Sequence, residues 1–352
     1  MNRIRVGLIG LGNSGYFYHL VPHLSGSEFF EVAMVCASDP RRVEEVASTS
    51  GARGVLDWRR VVEDPGIDLV VIATPHSLHY EMAMGGIAAG KHVHVDKPLT
   101  TTTAQADELI AAAKDAGVVL SVHQQRRFEH DYQVLTQLVE GGAIGDLWKV
   151  EVTRSHAGRY RTAAVDRPHQ GDNVLGWPHE RKFGGGISWL VGPHPVDQLL
   201  ELVGVGTTHV VGTSHTAPGD EVEEFIGLEV GFSSGVLGRV EVFRRAGIAP
   251  ARFRVYGTEG SIVAPNASEL QVSPVGKSAF SVSGLTPPGV LGEEIYTGLY
   301  RAIREDGALA VSAEEARDVV EVLEAGLASA TTAGTAVATR PTAARRRSTS
   351  RY

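Results

Sequence analysis

Over the first 125 residues, short apolar runs alternate with stretches whose apolar positions recur every three or four residues. RVGLIG, EVAMVC, LVVIAT, HVHVD and VVLSV have the length and composition of strands. The first four are each followed by a helical pattern: Ser14 to Leu24, PRRVEEVASTSG, SLHYEMAMGGIAAG and TAQADELIAAAKDAG. Pro40 suits the start of the second helix and Gly51 its end. Strands that alternate with helices predict βαβ units and a parallel sheet covered on both faces. The unbroken LVVIA fits a strand buried on both sides.

After residue 125 the rhythm changes. One helix runs from about Tyr132 to Glu140 and ends at Gly141-Gly142. WKVEVTRSH, THVVGTSHT, EEFIGLEVGF, GVLGRVEVF, RFRVYG and SIVAP follow, several alternating in polarity and joined by short Gly, Ser or Asp turns. Such alternation predicts an antiparallel sheet with one solvated face. GEEIYTGLYRAIRE and SAEEARDVVEVLEAGLASA read as closing helices. The expected fold is an α/β dinucleotide-type domain over 1–125 and an α+β domain over 126–339, built on a large open antiparallel sheet. A basic, disordered tail is expected over 340–352.

Composition narrows the class. The chain has 352 residues, 43% of them apolar, enough for two domains with real cores. No apolar run is long enough for a transmembrane helix, and the opening MNRIRVGLIGLG reads as a strand rather than a leader. A cytoplasmic protein is therefore expected. The lone cysteine, Cys36, lies in an apolar run and reads as a buried structural thiol. Net charge is −8, and the five arginines of the tail leave −13 for the rest, which argues against a nucleic-acid partner.

Gly10-Leu11-Gly12-Asn13-Ser14-Gly15 is G-x-G-x-x-G placed between a strand and a helix. In that position the first glycine permits a tight turn, the second lets the backbone approach a pyrophosphate, and the third lets the helix pack on the strand. A residue ~20 further on should read the ribose. Here Ala37 occupies that place at the end of the second strand, followed by Ser38, with Arg41 and Arg42 one turn on. An acid there would repel a 2′-phosphate; alanine does not, and the arginines could pair with one. NADP(H) is expected over NAD(H), with Asp39 close enough to reach a 2′-hydroxyl after a small backbone shift. Lys97 ends the strand HVHVD, where open α/β sheets bind ligands, and Pro98 follows it. The chain has no H-E-x-x-H, no Cys/His group of zinc spacing and no G-x-S-x-G elbow, so neither a metal site nor a serine hydrolase is expected.

These features together resemble the Gfo/Idh/MocA oxidoreductases, along nearly the whole chain. GLGNSGYFYHLVPHL resembles the family's opening loop. ATPHSLHYEMAMGGIAAGKHVHVDKPLT resembles its T-P-x-x-x-H … E-K-P block, QQRRFEHDYQVLTQLVEGGAIGDLWKVE its domain link, and GGGISWLVGPHPVDQLLELVG its G-G-G … D-x-G-x-H-x-x-D block. The branch containing NADP-dependent scyllo-inositol dehydrogenases is the most similar. The resemblance implies hydride transfer between NAD(P) and a hydroxyl or ketone carbon of a sugar or cyclitol, in a homo-dimer or homo-tetramer. Carried over by position, it implies that Lys97 binds and polarises the reacting oxygen. His194 exchanges the hydroxyl proton. Thr74, Pro75, His79 and Asp96 join the cofactor site, and Arg127 lies near substrate.

The chain departs from the family pattern at Asp96, where the family has Glu, and at Leu190, where it has an aspartate one helical turn before the histidine. Asp197, Asp172 or Glu180 could supply the missing carboxylate. Tyr160, Trp177, Trp189 and Leu190 suggest a less polar substrate wall, as for a glycoside, a deoxy-sugar or a natural-product intermediate. Two other readings stay open: a reductase of an imine or enone in specialised metabolism, and a non-redox NAD(P)-binding regulatory protein. The Gly184–Gly186 run is expected to let the chain pass close to nicotinamide and substrate, with Pro195 opening the helix that follows.

Overall fold

The computed structural model describes residues 3–156, 176–204, 206–244, 248–286, 289 and 291–340. Tyr160, Asp172 and all of the tail after Arg340 fall outside them. The chain divides into two compact units, Met1–Gln125 with Val290–Val320, and Arg126–Gly289 with Glu321–Tyr352. The chain thus returns to its first unit near the end, a crossing that a linear reading of the pattern does not contain.

In the first unit, β1 (Ile4–Ile9), β2 (Phe30–Cys36), β3 (Arg53–Val55), β4 (Leu69–Ile72), β5 (His92–Asp96) and β6 (Leu120–His123) form one sheet in the order β3-β2-β1-β4-β5-β6. All five pairings are parallel. This is the doubly wound order in which ligands bind outside the carboxyl ends of the strands. Leu69 to Ile72 are all buried, as their unbroken apolar run demands. Helix Pro40–Ser50 begins where the sequence predicts: the Asp39 carboxylate accepts from the Arg41 amide at 3.0 Å, and Gly51 ends the helix in the left-handed region at φ 72°. Helix Glu293–Arg304 belongs here because it is strongly one-sided. Tyr296, Leu299 and Tyr300 pack into the same core as Ile4, Val6 and Leu8. Burying Leu299 alone is worth about 2 kcal/mol. The helical segment Ser14–Leu24 is π-helical rather than α-helical, closing with the Ser25 amide donating to the Leu20 carbonyl at 2.7 Å. Pro22 inside it has no N–H to give to the ladder.

In the second unit, β7 (Leu147–His156), β8 (Thr207–His215), β9 (Phe225–Phe232), β10 (Leu237–Arg244), β11 (Phe253–Gly257), β12 (Gly260–Asn266), β13 (Glu269–Pro274), β14 (Phe280–Ser283) and β15 (Val337–Ala338) form a nine-stranded sheet. Its order is β14-β13-β12-β11-β7-β10-β9-β8-β15. The sheet is mixed, not purely antiparallel: β7 and β10 pair in parallel along their whole length. Alternating polarity reveals which face of a strand is wet and carries no information on strand direction. Helix Pro193–Val203 covers the inner face, with contacts to β7 and β10.

Candidate functional site

The glycine loop follows β1. At Gly10, φ is 100°, and a Cβ would lie 2.2 Å from the Ala73 carbonyl oxygen after β4; at Gly15 it would lie 1.8 Å from the Gly10 oxygen. These two glycines are dictated by turn geometry and by packing of the helical segment on the sheet. At Gly12 nothing among the described residues lies within 4 Å of the same position. A gap there, beside the exposed Gly12 and Asn13 and the free amides of a helix start, fits a pyrophosphate.

Asp96 links this loop to Lys97. The Ser14 hydroxyl donates to one Asp96 oxygen, and the Lys97 amide donates to the other at 2.8 Å. Burial by itself would raise the Asp96 carboxyl; Lys97, His19 and the Ser14 hydrogen bond outweigh it and hold the group below the usual carboxylate range. The Asp-for-Glu departure therefore keeps its carboxylate in use. Lys97 is half-buried at the carboxyl end of β5, followed by a cis peptide bond to Pro98.

His79 stands at the start of helix His79–Ala88 and is fully buried. Its ring spans two loops, with Nδ1 2.8 Å from the Pro98 oxygen and Nε2 3.0 Å from the Thr74 oxygen. Burial lowers its pKa, against the pull of those carbonyls and of Asp96. His79 thus pins Thr74-Pro75 and Lys97-Pro98, both at carboxyl ends of strands.

Ala37 and Ser38 follow β2. The Asp39 carboxylate is engaged as the helix cap. Arg41 is largely exposed and reaches Asp39 only at 3.5 Å. Arg42 is held down: its Nε donates to the Leu11 carbonyl at 3.0 Å, its guanidinium pairs with Glu45 at 2.7 Å, and it stacks over Tyr16 at 4.3 Å. The two arginines, indistinguishable in sequence, have different duties.

In the second unit, Gly184 (φ 71°) and Gly186 (φ 106°) are in the left-handed range. A Cβ on Gly186 would lie 2.2 Å from Glu223 Oε1, and one on Gly185 would lie 2.6 Å from the Pro178 oxygen. The glycine run therefore makes room for Glu223 and Pro178 inside its own unit, a local cause that the expectation of a passage past substrate did not include. Glu223 in turn accepts from the Ser188 amide at 3.0 Å. Leu190 ends the short helix Ile187–Leu190, whereas His194 lies in the first turn of the next, which Pro193 rather than Pro195 opens. The two are not on one helix face. Trp189 and Leu190 are buried, His194 is 6% exposed, and Trp177 is half-buried.

Asp197 accepts from Arg127 through both oxygens, at 2.6 and 2.7 Å, and both residues are buried. Next to them lies a charge cluster that sequence reading missed. The Glu129 carboxylate accepts from Arg126, from Arg154 and, at 2.7 Å, from Arg252. Burial would raise the Glu129 carboxyl, but the three guanidinium groups bring it down to about 2. RRFEHD carries Arg126 and Glu129, and only the folded sheet brings Arg154 and Arg252 to them.

This arrangement defines a dinucleotide-binding oxidoreductase, and the comparisons with known proteins agree. An oxidoreductase-family model with an NAD-binding Rossmann fold matches residues 4–124, and the GFO/IDH/MocA C-terminal domain model matches residues 132–263. The chain belongs to the Gfo/Idh/MocA family of NAD(P)-dependent oxidoreductases. It is 31% identical to the uncharacterized oxidoreductase YdgJ of Escherichia coli K12, over 94% of this chain and 97% of that one. It is 28% identical to the scyllo-inositol 2-dehydrogenase (NADP(+)) IolW of Bacillus subtilis, over 94% of each chain. Among solved structures, a levoglucosan dehydrogenase in complex with NADH and levoglucosan matches with a TM-score of 0.79 at 26% identity, covering 96% of this chain and 99% of that one. No helix among the described residues is long and apolar enough to cross a membrane.

Proposed function

We propose that the protein is an NADP(H)-preferring dehydrogenase acting at a secondary alcohol or ketone carbon of a sugar, cyclitol or related polyhydroxylated ring. The observation that carries this reading is Lys97. It stands at the carboxyl end of β5, joined through Asp96 to the glycine loop, in a family whose relatives include inositol and levoglucosan dehydrogenases. NAD(P), when bound, accepts or donates the hydride. Gly10, Gly12, Asn13, Ser14 and Gly15 would hold its pyrophosphate. Thr74, Pro75 and His79 would line the same end of the sheet.

The Lys97 ammonium binds the substrate oxygen and stabilises alkoxide charge as it develops. His194 takes or returns the hydroxyl proton as general base and acid. Arg127 and Asp197 hold one another and brace the segment that carries His194. Trp177, Trp189 and Leu190 supply apolar wall, which suits a ring with fewer hydroxyls than a free cyclitol. Ala37 and the exposed Arg41 favour a 2′-phosphate, and the cap engages one of the two Asp39 oxygens that a 2′-hydroxyl would use.

The test is absorbance at 340 nm over a panel of polyols, glycosides and their ketones with each cofactor. Reduction of NADP+ by a ring polyol supports the reading. Consumption of NADPH only with imine or enone acceptors replaces it with the imine or enone reductase, and binding without turnover replaces it with a regulatory protein.

A further inference from the structure

His19 comes from the π-helical segment, His94 from β5 and His123 from β6, and all three are fully buried. One ring nitrogen from each lies within 4.8 Å of the other two. Their sequence spacing matches no zinc motif, which is why the sequence pattern predicts no metal.

Their outer partners orient two of the rings. His19 Nδ1 lies 2.8 Å from the Tyr296 hydroxyl, so its Nε2 points the other way, buried and with no hydrogen-bond partner among the described residues. His94 Nδ1 lies 3.2 Å from the Ser121 hydroxyl, so its Nε2 points inward too, 3.3 Å from His123 Nδ1. Two nitrogens each about 2.0–2.1 Å from a tetrahedral zinc ion stand about 3.3–3.4 Å apart. The His94–His123 pair already has that spacing. A ligating histidine whose second nitrogen donates to a fixed oxygen is the usual outer-shell arrangement, and Tyr296 and Ser121 are placed for it.

We propose that His19, His94 and His123 form a binding site for one divalent transition-metal ion, zinc foremost, that ties the helical segment after the glycine loop to β5 and β6. Three imidazoles select zinc or cobalt over magnesium or calcium, which prefer oxygen ligands. Three protein ligands leave the fourth position to a water or small ligand. The proposal does not depend on the substrate or on the cofactor preference.

The experiment uses the full chain, stripped with a chelator, desalted and given zinc or cobalt. About one zinc per chain should remain after gel filtration, cobalt should give the intense visible bands of a tetrahedral nitrogen site, and the melting temperature should rise by several degrees. His94→Val and His123→Phe should each lower zinc affinity at least ~100-fold with an unchanged far-ultraviolet dichroism spectrum, while the exposed-site variant His215→Gln keeps the ion. Less than a tenth of an ion per folded wild-type chain overturns the proposal, as does full retention in His94→Val. Either result would make the cluster a set of hydrogen-bonded core histidines. Should one variant not fold, the wild-type stoichiometry and the cobalt spectrum decide alone.

Discussion

Lys97, Ala37 and His194 are where single substitutions speak most directly to chemistry. Lys97→Ala removes the cation that would meet the developing alkoxide, so kcat should fall about 10²–10³-fold. Binding of NADPH, followed by fluorescence, should change only a few-fold. Undiminished turnover would remove Lys97 from the mechanism. His194→Asn should cost about 10²–10⁴-fold in kcat, and a loss confined to KM would instead mean a binding role. Ala37→Asp places a carboxylate where a 2′-phosphate would lie. The ratio of kcat/KM for NADP+ over NAD+ should drop at least ~10-fold, and an unchanged ratio would mean that Arg41 and Ala37 do not read the ribose. Sequence reading singled out Ala37 by its distance beyond the glycine loop and Lys97 by its place at a strand end, whereas the role of His194 is what the family resemblance implies. It could not separate Arg41 from Arg42, since that difference lies in the Leu11 carbonyl and the Tyr16 ring that hold Arg42.

Among elements, the turn before helix Ile187–Leu190 and the start of helix His130–Glu140 carry the sharpest stability predictions. Gly186→Ala sets a methyl against Glu223 at a backbone angle that L-residues avoid, so the variant should lose about 1–3 kcal/mol in urea unfolding. Glu129→Gln leaves three guanidinium groups around a neutral amide and should cost about 3–5 kcal/mol. The sign of its pH dependence follows from the depressed carboxyl. The folded value is about 2 against an ordinary 4.5, so the stabilisation from Glu129 is complete above pH 4.5 and drains away as pH falls toward 2. Asp131 beside it is raised by burial, with Arg252 opposing, so it acts in the other direction and its cost at neutral pH is relieved on acidification. The wild type should lose stability as pH falls from 4.5 toward 2, and the variant should lose less over that range; identical acid unfolding curves would remove Glu129 from that role.

For the molecule as a whole, the family resemblance implies a homo-dimer or homo-tetramer through the open sheet. Light scattering at micromolar concentration should give two or four times the chain mass, and a monomer would refute it. The outer face of that sheet is charged: Lys149 pairs with Glu151 at 2.6 Å, Arg239 with Glu241 at 2.6 Å, and Arg254 reaches Glu151 at 3.8 Å. These pairs are mostly half-buried at the surface, and ion pairs near a protein surface add little stability and are partly screened by salt.

Local chemistry by itself determined much of this protein. Five of the six strands in the first unit, the Asp39–Pro40 start and the Gly51 stop, the glycine loop and the Lys97 turn follow from periodicity and backbone preference within a few residues; the three-residue β3 is too short to show a period. Tertiary structure alone decided the rest. It set the parallel pairing of β7 with β10, the return of helix Glu293–Arg304 to the first core, and the gathering of Arg154 and Arg252 around Glu129. It also brought His19, His94 and His123 to one point. Each of these joins residues far apart in the chain, and no local pattern encodes which distant partner will share the burial of a charge or an imidazole. Only the packing that removes water from both at once selects the pair.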